Sequence, residues 1–129
     1  MLSLLILKMT IMEINHFKES DFQKCVPPCS IMDMEDTLLS RLEYARCMSG
    51  FPFILTSAYR SYSWELEHGR KGLSSHTKGL AVDIHCTDEE KRFIMVQNLL
   101  RAGFTRIGIA TNYIHADCDY SKKGCIWLY

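Results

Sequence analysis

Ser75-His76-Thr77-Lys78-Gly79-Leu80-Ala81-Val82-Asp83-Ile84-His85 sets a His and an Asp seven positions apart across a glycine, and Ile114-His115-Ala116-Asp117 answers it downstream. His76 closes a loop, residues 77–79 turn the chain, and the alternating run 80–84 brings Asp83 back along a strand. Gly79 lets the backbone bend tightly between them. Two imidazoles and one carboxylate form a zinc donor set. Three protein ligands leave the fourth tetrahedral position for water, which separates catalytic sites from closed structural ones. His76, Asp83 and His115 are therefore the candidate ligands of one Zn2+.

Outward from this stretch the chain alternates strands and helices. Residues 51–59 read as a strand with Phe53, Leu55 and Ser57 on one face, and the polar segment 60–75, punctuated by Gly69 and Gly72, as a short helix and loop rim. Residues 33–48 carry Leu38, Leu39, Leu42 and Ala45 at helical spacing, with acids early, Arg late and Gly50 just past the end. Thr87-Asp88-Glu89-Glu90 has the form of a capping box closed by Thr87 and Glu90. Phe93, Ile94, Val96, Leu99 and Leu100 then mark a helix ending at Gly103. Residues 104–110, 113–118 and 126–129 read as strands, and 15–28 as a short element followed by a loop at Pro27-Pro28.

This order predicts an α+β fold: one small domain, a mostly antiparallel sheet, helices packed on one side and the metal site on the sheet face. A period of two places Tyr113, His115, Asp117 and Asp119 on that face.

With 129 residues the chain builds one core and not two. Residues 1–12 read as a candidate amino-terminal extension, and 13–129 as the domain. Fifteen basic and fifteen acidic residues give no net charge, so there is no electrostatic basis for binding nucleic acid. The apolar start is too short to span a bilayer and lacks the features of an export signal, so no stable membrane insertion is expected. Localisation stays open between the cytoplasm and release to the cell wall, and a monomer is expected. The six cysteines are irregularly spaced. Cys25 and Cys29, flanking Val26-Pro27-Pro28, read as loop thiols, with a bridge or a second metal site as the alternative.

Ser57-Ala58-Tyr59-Arg60-Ser61, Ser74-Ser75-His76-Thr77-Lys78-Gly79-Leu80-Ala81-Val82-Asp83-Ile84, Arg106-Ile107-Gly108-Ile109 and Tyr113-Ile114-His115-Ala116-Asp117 together resemble the D-Ala-D-Ala carboxypeptidase family of zinc metallohydrolases. These bacterial and phage enzymes are related to lysostaphin-type peptidases and to the Hedgehog amino-terminal domain. The resemblance runs in order from about Phe51 to the carboxyl end. It implies zinc held by His76, Asp83 and His115, a peptidoglycan stem peptide as substrate, and cleavage next to a D-amino acid. It further implies that Arg60 faces a substrate carboxylate. Ser74 occupies the family's serine position, in the loop or beside the substrate.

The resemblance departs at the general base. Several branches carry an acid three residues before the last His, or a His two before it, and here those positions hold Asn112 and Tyr113. Other relatives end in His-x-Asp, as His115-Ala116-Asp117 does. Asp117 is therefore the candidate base, or else a carboxylate that orients a ligand, with Glu65 and Glu67 next in line. His85 shares the face of Asp83 as a non-ligating imidazole, while His16 and His68 read as surface residues. Trp64 is a candidate groove residue and Trp127 a core one. The expected activity is that of a zinc D,D-carboxypeptidase. Its alternatives are a peptidoglycan endopeptidase or phage endolysin, and a zinc-stabilised binding domain without catalysis.

Overall fold

A computed structural model describes residues 13–129, so the extension assigned to 1–12 lies outside the described residues. The elements run α1 (Glu19–Gln23), a 3-10 turn (Ile31–Asp33), α2 (Asp36–Ser49), β1 (Leu55–Ser57), α3 (Tyr62–Glu67) and a second 3-10 turn (Ser75–Lys78). They continue as β2 (Ala81–His85), α4 (Glu89–Arg101), β3 (Arg106–Ile109), β4 (Tyr113–Asp117) and β5 (Cys125–Leu128). Among the described residues, five strands form one sheet in the order β1-β2-β4-β3-β5. All pairings are antiparallel except β3 with β5, which makes the α+β fold's sheet mixed at one edge.

Alternation along the strands divides the sheet into a dry face and a polar face. Val82, Ile84, Ile107, Ile114 and Ala116 are fully buried in a core shared with Leu38 and Leu42 of α2, Met95 and Leu99 of α4, and Phe22 of α1. Truncating any one of these large aliphatic side chains to Ala costs about 2–5 kcal/mol. The core therefore holds β2 and β4 in a fixed register, with Asp83 opposite His115 and His85 opposite Tyr113. A slip of one residue would carry the polar set into the core.

Several boundaries differ from the sequence reading. Residues 30–33 make their own turn, in which the Ser30 hydroxyl accepts from the Met32 amide and the Asp33 carboxylate accepts from the Ser30 amide. The Asp33 carboxylate is thus occupied before α2 begins at Asp36. Asp88, not Thr87, caps α4, its carboxylate accepting from the Lys91 amide at 2.8 Å. A carboxylate one residue later is an equally good cap. The α4 core face is Met95, Asn98 and Leu99, whereas Phe93 and Leu100 are exposed, because the apolar residues spread over more than one helix face. The first strand shrinks to Leu55–Ser57. Pro52 lacks an amide for the ladder, and the pairing of β1 with β2 is irregular between Leu55 and Ser57.

All six cysteines are free thiols, and those of Cys25 and Cys29 are aimed at the carbonyls of Asp21 and Phe22. Among the described residues, no helix is long and apolar enough to cross a membrane.

Candidate metal centre

Three local structures deliver the donor atoms. His76 rides on the 3-10 turn Ser75–Lys78, which Gly79 terminates at φ +70°. A Cβ on Gly79 would stand 2.4 Å from the carbonyl oxygen of Asp33, so only glycine closes this turn. Asp83 and His115 are direct neighbours across the central strand pair. Seen from the chain, one turn and two paired strands suffice to bring residues 76, 83 and 115 together.

Each imidazole is held by one nitrogen and presents the other. His76 donates from Nδ1 to the Ala58 carbonyl at 2.6 Å, and His115 donates from Nε2 to Asp117 Oδ2 at 2.7 Å. In the neutral ring, the nitrogen that donates fixes the other as a lone pair. His76 Nε2 and His115 Nδ1 are thus the free lone pairs, at 3.4 and 3.1 Å from Asp83 Oδ1. Three acceptors facing one point repel unless a cation lies between them. For bonds of about 2.0–2.2 Å, a tetrahedral ion separates its ligands by about 3.3–3.6 Å. The donor set therefore fits Zn2+ in chemistry and in spacing, and all three residues are buried.

A buried charge network surrounds the set. Arg60 donates from Nε to Ser57 Oγ, from Nη1 to Glu65 Oε2 and from Nη2 to Asp83 Oδ2. Ser74 donates to the same Glu65 oxygen at 2.6 Å. On the other side, Arg106 Nε donates to Asp117 Oδ2 at 3.2 Å. Three carboxylates, Glu65, Asp83 and Asp117, thus face two guanidiniums, and the residual negative charge favours a cation at the centre. In the metal-free protein the same rings can take up a proton instead: burial opposes ionisation of Asp83, but hydrogen bonds and charge from the protonated His115 and His76 rings hold its pKa far below the usual carboxylate range. Burial likewise opposes protonation of His115, and the carboxylates of Asp117 and Asp83 outweigh it and raise its pKa.

The structure places the remaining site expectations as follows. Asp117, 1 % exposed, is bound by His115, Arg106 and the Asp119 amide, an arrangement suited to orienting a ligand rather than to meeting solvent. Arg60 is buried and already bridges two protein carboxylates. Ser74 spends its proton on Glu65. Glu65 is fully buried and Glu67 is exposed.

Trp127 is half-buried on the polar face rather than in the core. Its ring lies 5.2 Å from that of His115, with the Arg106 guanidinium 5.0 Å from its centre. Gly108 makes room for it, since a Cβ there would come within 2.6 Å of the indole. Trp64 stacks on His68, and the guanidiniums of Arg60 and Arg70 lie 5.7 and 5.8 Å from its ring centre. Arg106 and the Ala58 carbonyl had no role in the sequence reading. Arg106 was detectable only as part of a motif, and a carbonyl contact leaves no trace in residue type.

The Peptidase M15 family pattern matches residues 8–117. The chain belongs to that family, whose members are zinc-dependent metallopeptidases. The match reaches well upstream of residue 51, so it takes in α1 and α2 as well as Arg60, Ser74, His76, Asp83, His115 and Asp117. No curated protein matches the chain significantly.

Proposed function

We propose that this protein is a zinc peptidase of D,D-carboxypeptidase type, hydrolysing peptidoglycan stem peptides next to a D-amino acid. The observation that carries the reading is the convergence of two imidazole lone pairs and one carboxylate oxygen in a Peptidase M15 chain. His76, Asp83 and His115 would hold Zn2+, which when bound supplies Lewis acidity that polarises a carbonyl and activates water.

The protein's own groups position and exchange protons around that point. Asp117 keeps the His115 proton on Nε2, which leaves Nδ1 facing Asp83. Of the two roles open to it, the geometry favours this orienting one over that of base. Arg60 pins Asp83 through Nη2 and, of its five N–H bonds, has two left for the terminal carboxylate of a peptide. Ser74 offers lone pairs to a peptide N–H.

His85 takes the role of proton acceptor in this reading. It is exposed, two residues along the strand from Asp83, and pairs across the ladder with Tyr113, the position at which some relatives carry a His. A neutral imidazole offers one ring-nitrogen lone pair that can accept a proton. Tyr113, Trp127 and Tyr129, packed in series beside His115, supply an aromatic wall for the stem peptide.

Asn112 and Tyr113, where relatives place the base, favour a second reading: a zinc-stabilised binding domain without catalysis. Release of D-Ala from a stem pentapeptide, lost on chelation and restored by Zn2+, decides between them. Release of internal fragments instead would make the protein an endopeptidase. A zinc-loaded protein that binds but cleaves neither bond would be the binding domain.

A further inference from the structure

Glu43 lies in the middle of α2, between Leu42 and Tyr44, and its side chain is only 1 % exposed. A lone carboxylate buried this way is costly and calls for partners. Its Oε1 accepts from the amides of Asn15 and His16, each at 2.8 Å. That fixes the carboxylate plane and turns Oε2 toward two further donors of different chemistry. His16 Nδ1 contacts Oε2 directly, and Cys47 Sγ, one helical turn along the same face of α2, lies 3.2 Å from it. Cys47 Sγ is also 3.6 Å from His16 Nδ1.

We infer that His16, Glu43 and Cys47 form a second metal site, separate from the His76 centre, for Zn2+ or a divalent ion of similar softness. One nitrogen, one carboxylate oxygen and one sulfur are the donor types that Zn2+ takes, and such mixed sets favour borderline ions over Mg2+ or Ca2+. With Zn–S about 2.3 Å and Zn–N and Zn–O about 2.0–2.2 Å, the edges from sulfur fall near 3.5 Å, close to the two observed. The nitrogen and the carboxylate oxygen must part to admit the ion. His16 can do this because it is exposed and sits outside any helix or strand.

The ion binds the thiolate, so the Cys47 proton leaves to solvent. The proton that His16 Nδ1 shares with Glu43 also leaves, or is exchanged through solvent onto Nε2, which frees the Nδ1 lone pair, and the thiolate and carboxylate together neutralise the metal charge. His16 and Cys47 are both exposed, leaving a fourth position for water. The site clasps the segment around Asn15 and His16 onto α2, which is itself part of the core.

The test is metal content together with cobalt spectroscopy on the full chain. The wild type should bind two equivalents of Zn2+, and Cys47→Ser and His76→Ala one each. Co2+ loading should give a sulfur-to-metal charge-transfer band in the wild type and in His76→Ala, and none in Cys47→Ser. His16→Asn, at a second exposed position, should lose the same equivalent as Cys47→Ser. One equivalent in the wild type with no sulfur band would overturn the site, as would a band that survives Cys47→Ser. Failure of the His76 centre would appear separately, as loss of the equivalent without sulfur character.

Discussion

Replacing Asp117 with Asn keeps the side chain's shape and removes its charge. The carboxylate now serves the His115 Nε2 proton at 2.7 Å, the Arg106 Nε at 3.2 Å and the Asp119 amide at 3.2 Å. An Asn has one acceptor oxygen and one NH2 for these three donors. If the oxygen stays with His115, the NH2 confronts the Asp119 amide; if it turns to Asp119, the NH2 meets His115 Nε2 and moves the ring proton to Nδ1, toward Asp83. Losing such an orienting carboxylate weakens metal binding about 10–100-fold, equivalent to about 1.4–2.8 kcal/mol. Zn2+ affinity, measured by competition with a chromogenic chelator, should fall by that factor, while turnover per bound Zn2+ stays within about tenfold of wild type. In the metal-free protein, the His115 pKa, now raised by Asp117 and Asp83 against its burial, should drop in the variant. Unchanged Zn2+ affinity with turnover reduced about 10²–10⁴-fold would refute the orienting role and make Asp117 the base.

Gly79→Ala puts a Cβ 2.4 Å from the Asp33 carbonyl at φ +70° and should destabilise the protein by about 1–3 kcal/mol in denaturant titration, weakening Zn2+ binding at His76 as well. Arg60→Ala should lower Zn2+ affinity by releasing Asp83 and should reduce activity on free-acid peptides more than on amidated ones; equal losses on both would confine Arg60 to the metal centre. His85→Ala should lower turnover about 10²–10⁴-fold with Zn2+ retained, and normal turnover would move the proton acceptor elsewhere.

Asp119 supplies a pH signature. Burial opposes its ionisation, but hydrogen bonds from Ser121, Lys78 and Ser75 prevail and hold its pKa well below the ordinary carboxylate value. A folded pKa below the unfolded one means that the ionised form stabilises the fold. That stability is complete above about pH 4 and is lost as pH falls through the depressed folded value. Acid unfolding followed by circular dichroism should show this loss, and Asp119→Asn should be less stable at neutral pH with a shallower acid dependence.

The convergence of His76, Asp83 and His115 and most of the fold were legible in the sequence because their causes are local. A glycine after His76, alternation through Asp83 and His115, and apolar spacing in the two long helices act over a few residues, and each sets a period or a turn that residue types record. The partners of those residues were decided by the tertiary structure. The sequence placed Asp117 on the face of His115, but only the packing of β3 beside β4 brings Arg106 to that carboxylate and draws it toward the imidazole. Arg60 follows a strand that leads to the site, yet the fold of α3 over it turns the guanidinium onto Glu65 and Asp83. Trp127 has the composition of a core residue and lies on the polar face, because β5 joins the sheet in parallel in the register that stacks it over Gly108. His16 has no signal in its own neighbourhood, since its partners are about thirty residues away on α2. Sequence period reports which face a side chain takes, whereas its hydrogen-bond partners depend on elements joined only when the core closes.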